Sequence, residues 1–61
     1  MKKILLLDVP HQIESVEEMR TLRKMFDVDE IINIYNMENK GEYLEFLKSE
    51  NVGNIIIVKK L

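Results

Sequence analysis

The run KILLLDV, residues 3–9, is apolar at four successive positions, Ile4 to Leu7, and then stops at Asp8. It is too short for an ordinary helix, so it is predicted to be a strand. Successive side chains of a strand point to opposite faces, and a run with no alternation therefore needs cover on both sides. A strand of this kind belongs in the middle of a sheet that carries a helix on each face. Pro10 closes it.

Outward from this run the chain alternates. Ser15-Val16-Glu17-Glu18 has the form of a capping box, serine followed three residues later by glutamate, so a helix should open near residue 15 and end near Phe26. Its apolar residues Val16, Met19, Leu22, Met25 and Phe26 recur at intervals of three and four, with Glu17, Glu18, Arg20, Thr21 and Lys24 largely opposite. The segment DEIINIYN, residues 29–36, is β-branched and aromatic but interleaved with polar residues. Ile31, Asn33 and Tyr35 should face one way and Ile32, Ile34 and Asn36 the other, a mixed strand that suits a sheet edge. Asn39-Lys40-Gly41-Glu42 is a second capping-box pattern, opening a helix to about Glu50 with Tyr43, Leu44, Phe46 and Leu47 on its buried side. Gly41 weakens that helix by up to about 1 kcal/mol relative to alanine. Asn51-Val52-Gly53 offers residues that tolerate a left-handed stop before the last strand, NIIIVKKL, residues 54–61.

Strand, helix, strand, helix, strand over residues 1–61 predicts one α/β domain, a βαβαβ unit with right-handed crossovers and a three-stranded parallel sheet. Two strand orders are compatible with that alternation. In order 1-2-3 both helices share one face, whereas in order 2-1-3 the first strand is central and the helices cover opposite faces. The apolar first strand and the mixed second one favour 2-1-3, an arrangement similar to half of a flavodoxin-like sheet.

That order sends the last strand, with Ile55, Ile56, Ile57 and Val58 in a row, to an edge. An apolar edge without proline is a template for further pairing, and only Lys59 and Lys60 blunt it. The expectation is that Ile55, Ile56, Ile57 and Val58 form a self-association edge. It would pair antiparallel with the same strand of a second copy and give a six-stranded sheet ordered 2-1-3-3-1-2. The alternative is a monomer whose last strand is half covered by the second helix.

Energetics point the same way. For 7.3 kDa, surface scaling gives roughly 4,200 Å² folded against about 10,600 Å² unfolded. If about 60% of the buried area is apolar, burial contributes roughly 95 kcal/mol while ordering the chain costs about 90. Small chains escape this balance through disulfides, metals or oligomerisation. With no cysteine and a single histidine, His11, the first two routes are closed.

Charge and composition exclude several classes of function. The net charge is −2 with a pI near 5.3, and no basic cluster exceeds a lysine pair, so the footprint of a nucleic-acid binder is missing. Lys2 and Lys3 before ILLL resemble the start of a signal peptide, but the apolar run is too short and no small-residue cleavage site follows. A cytoplasmic protein that does not engage membranes is expected. Residues 14–50 hold ten acids and five bases, an acidic body that favours a protein partner with a basic surface.

In an open parallel sheet, ligands sit beyond the carboxyl ends of the strands. There the order 2-1-3 gathers Asp8, His11, Asn36 and Lys59 into a candidate ligand rim, with Pro10, Asn39 and Lys60 nearby. Strand 1 of phosphoacceptor folds also ends in an aspartate, but a receiver-type site needs an acidic pair there and an aspartate closing strand 3. Here Asp8 is followed by Val9-Pro10, and the third strand ends in Val58-Lys59. A haloacid-dehalogenase-like site needs a second aspartate where Pro10 stands. His11 could act as a general base, or with Asp8 as one ligand of a metal. Ser15 and Ser49 have no base placed by sequence to activate them. Gly41 and Gly53 cannot form a phosphate-binding glycine loop. Tyr35, Tyr43, Phe26 and Phe46 occupy core registers. No catalytic set, metal or cofactor is expected.

The leading functional expectation is a non-enzymatic homodimeric interaction protein that blocks or redirects another macromolecule. The richness in Ile, Lys, Glu and Asn resembles small open reading frames of phages and mobile elements in AT-rich hosts. Such proteins inhibit host enzymes or defence complexes, in which case the compartment is the host cytoplasm. The alternatives are a small-ligand binder or minimal enzyme using the rim, and a designed or excised half of a larger doubly wound domain.

Overall fold

The computed structural model describes residues 2–50 and 52–59. Three strands, β1 (Lys3–Asp8), β2 (Glu30–Asn33) and β3 (Asn54–Lys59), alternate with two helices, α1 (Val16–Phe26) and α2 (Lys40–Ser49). The strands form one parallel sheet in the order β2-β1-β3, with β1 at the centre. Leu5 stands between Ile31 and Ile56, and Leu6 between Ile32 and Ile57. Asn51, the first residue of the expected Asn51-Val52-Gly53 stop, and Lys60, the second blunting lysine, lie outside the described residues.

The core divides at the sheet. On the α2 face Ile4, Leu6, Ile34 and Leu47 are buried, and Ile32, Met37, Tyr43, Leu44, Val52 and Ile55 pack against them. On the α1 face Leu5, Leu7 and Val28 are buried, flanked by Val9, Ile13, Phe26, Ile31, Ile56 and Val58. The alternation expected for β2 holds: Ile31 lies on the α1 face, Ile32 and Ile34 on the α2 face.

Where the elements stop has local causes. Ser15 has extended backbone (ψ 151°) and its Oγ accepts the Glu18 N–H at 3.0 Å, the expected cap of α1. The other arm of the box is diverted, because the Glu18 carboxylate reaches His11 Nε2 at 2.6 Å. At the far end Asp27 is left-handed (φ 53°) and the Val28 N–H returns to the Arg23 carbonyl at 3.0 Å, a Schellman-type stop on a residue other than glycine.

Strand 2 is shorter than the 29–36 expected from sequence. Ile34 makes the last ladder bond, from its N–H to the Leu7 carbonyl. The Asn33 side chain then takes over: its Oδ1 accepts the Tyr35 N–H at 2.9 Å, and its Nδ2 donates to the His11 carbonyl at 2.7 Å. An asparagine that bonds the backbone two residues on offers the chain a turn in place of a ladder.

The second capping box does not form. Asn39 makes no side-chain cap bond, since its ψ of 51° departs from the extended backbone that aims a cap side chain at the first turn. Gly53 likewise takes no positive φ. The apolar stripes of both helices are wider than the surface that covers them: Val16 and Met25 on α1 are 69% and 70% exposed, and Phe46 on α2 is 55% exposed. Phe46 was expected on the buried side of α2, whereas Val16 and Met25 were expected only as members of the α1 apolar stripe. The helices lie on opposite faces and each can reach only part of the sheet, so the margin of each stripe has nothing opposite it.

Candidate functional site

Two regions contend for function, the carboxyl-end rim of the sheet and the free edge of β3. At the rim, β1 delivers Asp8 to the α2 face, where its Oδ1 meets Lys40 Nζ at 2.8 Å. Lys40 opens α2, so the missing asparagine cap is accompanied by an ion pair that ties the first turn of the helix to the end of β1. The Asp8 side chain is only 16% exposed. Lys40 Nζ also sits 5.7 Å from the Tyr35 ring centroid, within cation–π range. Sequence reasoning passed over Lys40. The available signal was the position of a cation at the start of a helix that must follow a strand toward the Asp8 end of the sheet.

The four expected rim residues separate into two pairs. Asp8 and Lys59 line a small cavity of about 180 Å³ on the α2 face, together with Leu6, Lys40, Leu44 and Ile57. His11 and Asn36 line a different hollow of about 190 Å³ with Val9, Gln12, Asn33 and Tyr35. His11 is held there by Glu18 and, through its carbonyl, by Asn33, while Asp8 is engaged by Lys40. The geometry therefore sets a carboxylate–ammonium pair beside one lysine in one place and an imidazole–carboxylate pair beside amides in another. Among the described residues there is no group of three His, Cys, Asp or Glu side chains that could hold a metal ion.

The expected core placement of the aromatics is corrected in part. Tyr35 is 42% exposed and Phe46 more so, and Phe46 stacks with Tyr43 at a centroid separation of 6.4 Å. At the amino end of the sheet Lys3 bonds Asp27 at 2.9 Å. That hydrogen bond, reinforced by the opposite charge, holds the Asp27 carboxyl below the usual carboxylate range and raises Lys3 above the usual amine value. The Asp29 carboxylate accepts the Lys3 N–H at 2.9 Å, so this end is a clasp between β1 and the loop that enters β2.

The β3 edge has a different character. The Lys2 carbonyl accepts from both the Gly53 N–H (2.8 Å) and the Asn54 N–H (3.3 Å), and in a parallel ladder alternate residues serve the same neighbour. Leu7, whose carbonyl accepts from Ile34, serves β2, so Leu6 and Asp8 serve β3, and Ile57, directly opposite Leu6, points away from β1. Asn54, Ile56 and Val58 thus turn their backbone groups toward β1, whereas Ile55, Ile57 and Lys59 turn theirs toward the open side. Ile57 is 39% exposed, and Ile55, Ile56 and Val58 are half-buried. All four residues of the expected self-association edge are in the edge strand of the described sheet.

No helix among the described residues is long and apolar enough to cross a membrane. No family model matches the chain, and no curated protein and no solved structure matches it.

Proposed function

We propose that this chain is a non-enzymatic interaction protein that self-associates as a homodimer through β3 and works by occupying a surface of another protein. The observation that carries the reading is β3 itself: six residues long, apolar on both faces, paired on one side only and blunted within its described length by Lys59 alone. Such an edge is a pairing site unless something covers it. The exposed margins of the helical stripes, Val16, Met25 and Phe46, add apolar surface suited to contact with a further chain.

The acidic body of residues 14–50 favours a target with a basic surface. Blocking or redirecting that target in the cytoplasm, as a phage-borne or mobile-element inhibitor does, is the mode of action we infer; its support is the Ile-, Lys-, Glu- and Asn-rich composition. A ligand site at the rim is less favoured because Asp8 and His11 lie in separate hollows and each is engaged by a side chain of its own.

Light scattering on a sizing column across a dilution series, with circular dichroism at each concentration, tests the association. A particle of twice the chain mass whose helix signal fades on dilution is the expected result. A folded monomer at every concentration contradicts it. The double substitution Asp8→Asn and His11→Ala should leave both the particle mass and the effect on the target unchanged. Loss of the effect with the dimer intact would move the function to the rim.

A further inference from the structure

We infer that β3 meets β3 of a second copy in one particular register, antiparallel with Ile56 on the two-fold axis. This rests on the self-association proposed above and goes further by assigning its pairing. The backbone restricts the choice first. Only residues whose N–H and C=O point outward can bond across the new seam, and these are Ile55, Ile57 and Lys59. An outward residue must therefore oppose an outward residue, which removes every register that sets Ile56 against Ile57.

The side chains then choose among the registers left. With Ile56 on the axis, Ile55 opposes the partner's Ile57 twice over on the α2 face, and the two copies of Ile56 oppose each other on the α1 face. β-branched pairs of this kind are favourable across an antiparallel seam. Moving the axis to Ile57 sets Lys59 against the partner's Ile55, and moving it to Ile55 slides Val58 past the start of the partner's β3. In the assigned register Lys59 instead lies opposite the partner's Gly53, at the end of the sheet where α2 terminates in Glu50. The register thus keeps both copies of Lys59 off the apolar Ile55, Ile56 and Ile57 pairs.

The exposed area fits a second copy. The chain exposes 4736 Å², roughly 500 Å² more than scaling gives for a compact monomer of this mass. Two copies that covered this surplus would bury about 1,000 Å², the lower bound for a specific interface.

The absence of native cysteine makes the test clean. Ile55→Cys, Ile56→Cys and Ile57→Cys are made singly in the full chain, checked for fold by circular dichroism in the reduced state, and oxidised at a concentration where light scattering reports dimer. Opposed residues of a non-hydrogen-bonded antiparallel pair have Cα atoms about 4.5 Å apart, within disulfide range. The expected result is a covalent dimer from Ile56→Cys, formed at least about tenfold faster than from either neighbour. If Ile56→Cys fails to fold, an equimolar mixture of the single variants Ile55→Cys and Ile57→Cys carries the test: the 55–57 heterodimer should cross-link faster than either homodimer, because those positions oppose each other only when Ile56 is on the axis. Fastest cross-linking through Ile57→Cys alone overturns the register and leaves the dimer standing. A dimer by light scattering that none of the variants cross-links overturns pairing through β3, and a monomer throughout overturns the self-association as well.

Discussion

β1 and β3 are nearly the same strand in composition, Ile4-Leu5-Leu6-Leu7 in one and Ile55-Ile56-Ile57-Val58 in the other, and their surroundings could hardly differ more. In β1 the four residues are 0–6% exposed, with a neighbour strand on each side and a helix on each face. In β3 none of the four is buried and one ladder of backbone groups is unused. Local sequence specifies how much apolar surface a strand brings, and topology specifies how much of it is covered. The surplus on β3 is the part of the molecule that its own fold does not account for.

The contrast is broken most severely at the centre. Leu5→Ala empties space under a side chain that is 0% exposed, and such changes cost about 3–4 kcal/mol. A domain of this size holds only about 3–9 kcal/mol in total, so chemical denaturation should find the variant largely unfolded at neutral pH. Ile57→Lys, one residue past the β3 partner of Leu5, should instead act between copies. It removes an apolar side chain from each side of the seam and adds two like charges, weakening association by about 3 kcal/mol, more than 100-fold. Sedimentation equilibrium should show that shift.

Smaller changes sharpen the comparison at the two ends of the sheet. Lys40→Met keeps the aliphatic stem but strands the mostly buried Asp8 carboxylate, lowering stability by about 1 kcal/mol in urea melts. A β carbon added at Gly41 would meet nothing within 4 Å, so Gly41→Ala should raise the unfolding free energy measured in urea by about 0.5 kcal/mol through helix propensity. The smallest effect is expected at Asp27. Its folded pKa is depressed by the hydrogen bond from Lys3, so its contribution is present above the unfolded value of 3.8 and is lost as pH falls through the lower folded value. Asp27→Asn, which tolerates the left-handed backbone, should flatten the stability profile in that acid window and change little at neutral pH.

Much of the architecture was legible in the sequence. The uninterrupted apolar run of β1 against the interleaved β2 was enough to order the strands, because burial on two faces is possible only at the centre of so small a sheet. Ser15 announced α1 for the same local reason that it caps it. What escaped were contacts between distant segments. The Lys40–Asp8 pair spans 32 positions, and the early end of β2 depends on Asn33 reaching back to the Val9–His11 loop. Periodicity identified Val16, Met25 and Phe46 as parts of apolar stripes, but a stripe records what a helix presents and not which width of it a neighbour reaches. Asp27 in a left-handed stop was hidden for a related reason: Phe-Asp-Val-Asp carries no glycine to mark it. The rim read as one site because the strand ends were taken as a line, whereas the alternation of β1 sends Asp8 to one face and leaves His11 beyond the other.

Residue-resolved amide exchange along β3 tests the central claim most directly. Ile56 and Val58 donate inward to β1 and should be protected whatever the assembly state, while Ile55 and Ile57 point to the open edge. If a second copy occupies that edge, the Ile55 and Ile57 amides will exchange as slowly as those of Ile56 and Val58 at concentrations where the dimer is full. If Ile55 and Ile57 exchange at unprotected rates beside protected Ile56 and Val58 at every concentration, the edge is bare and the account of self-association is wrong.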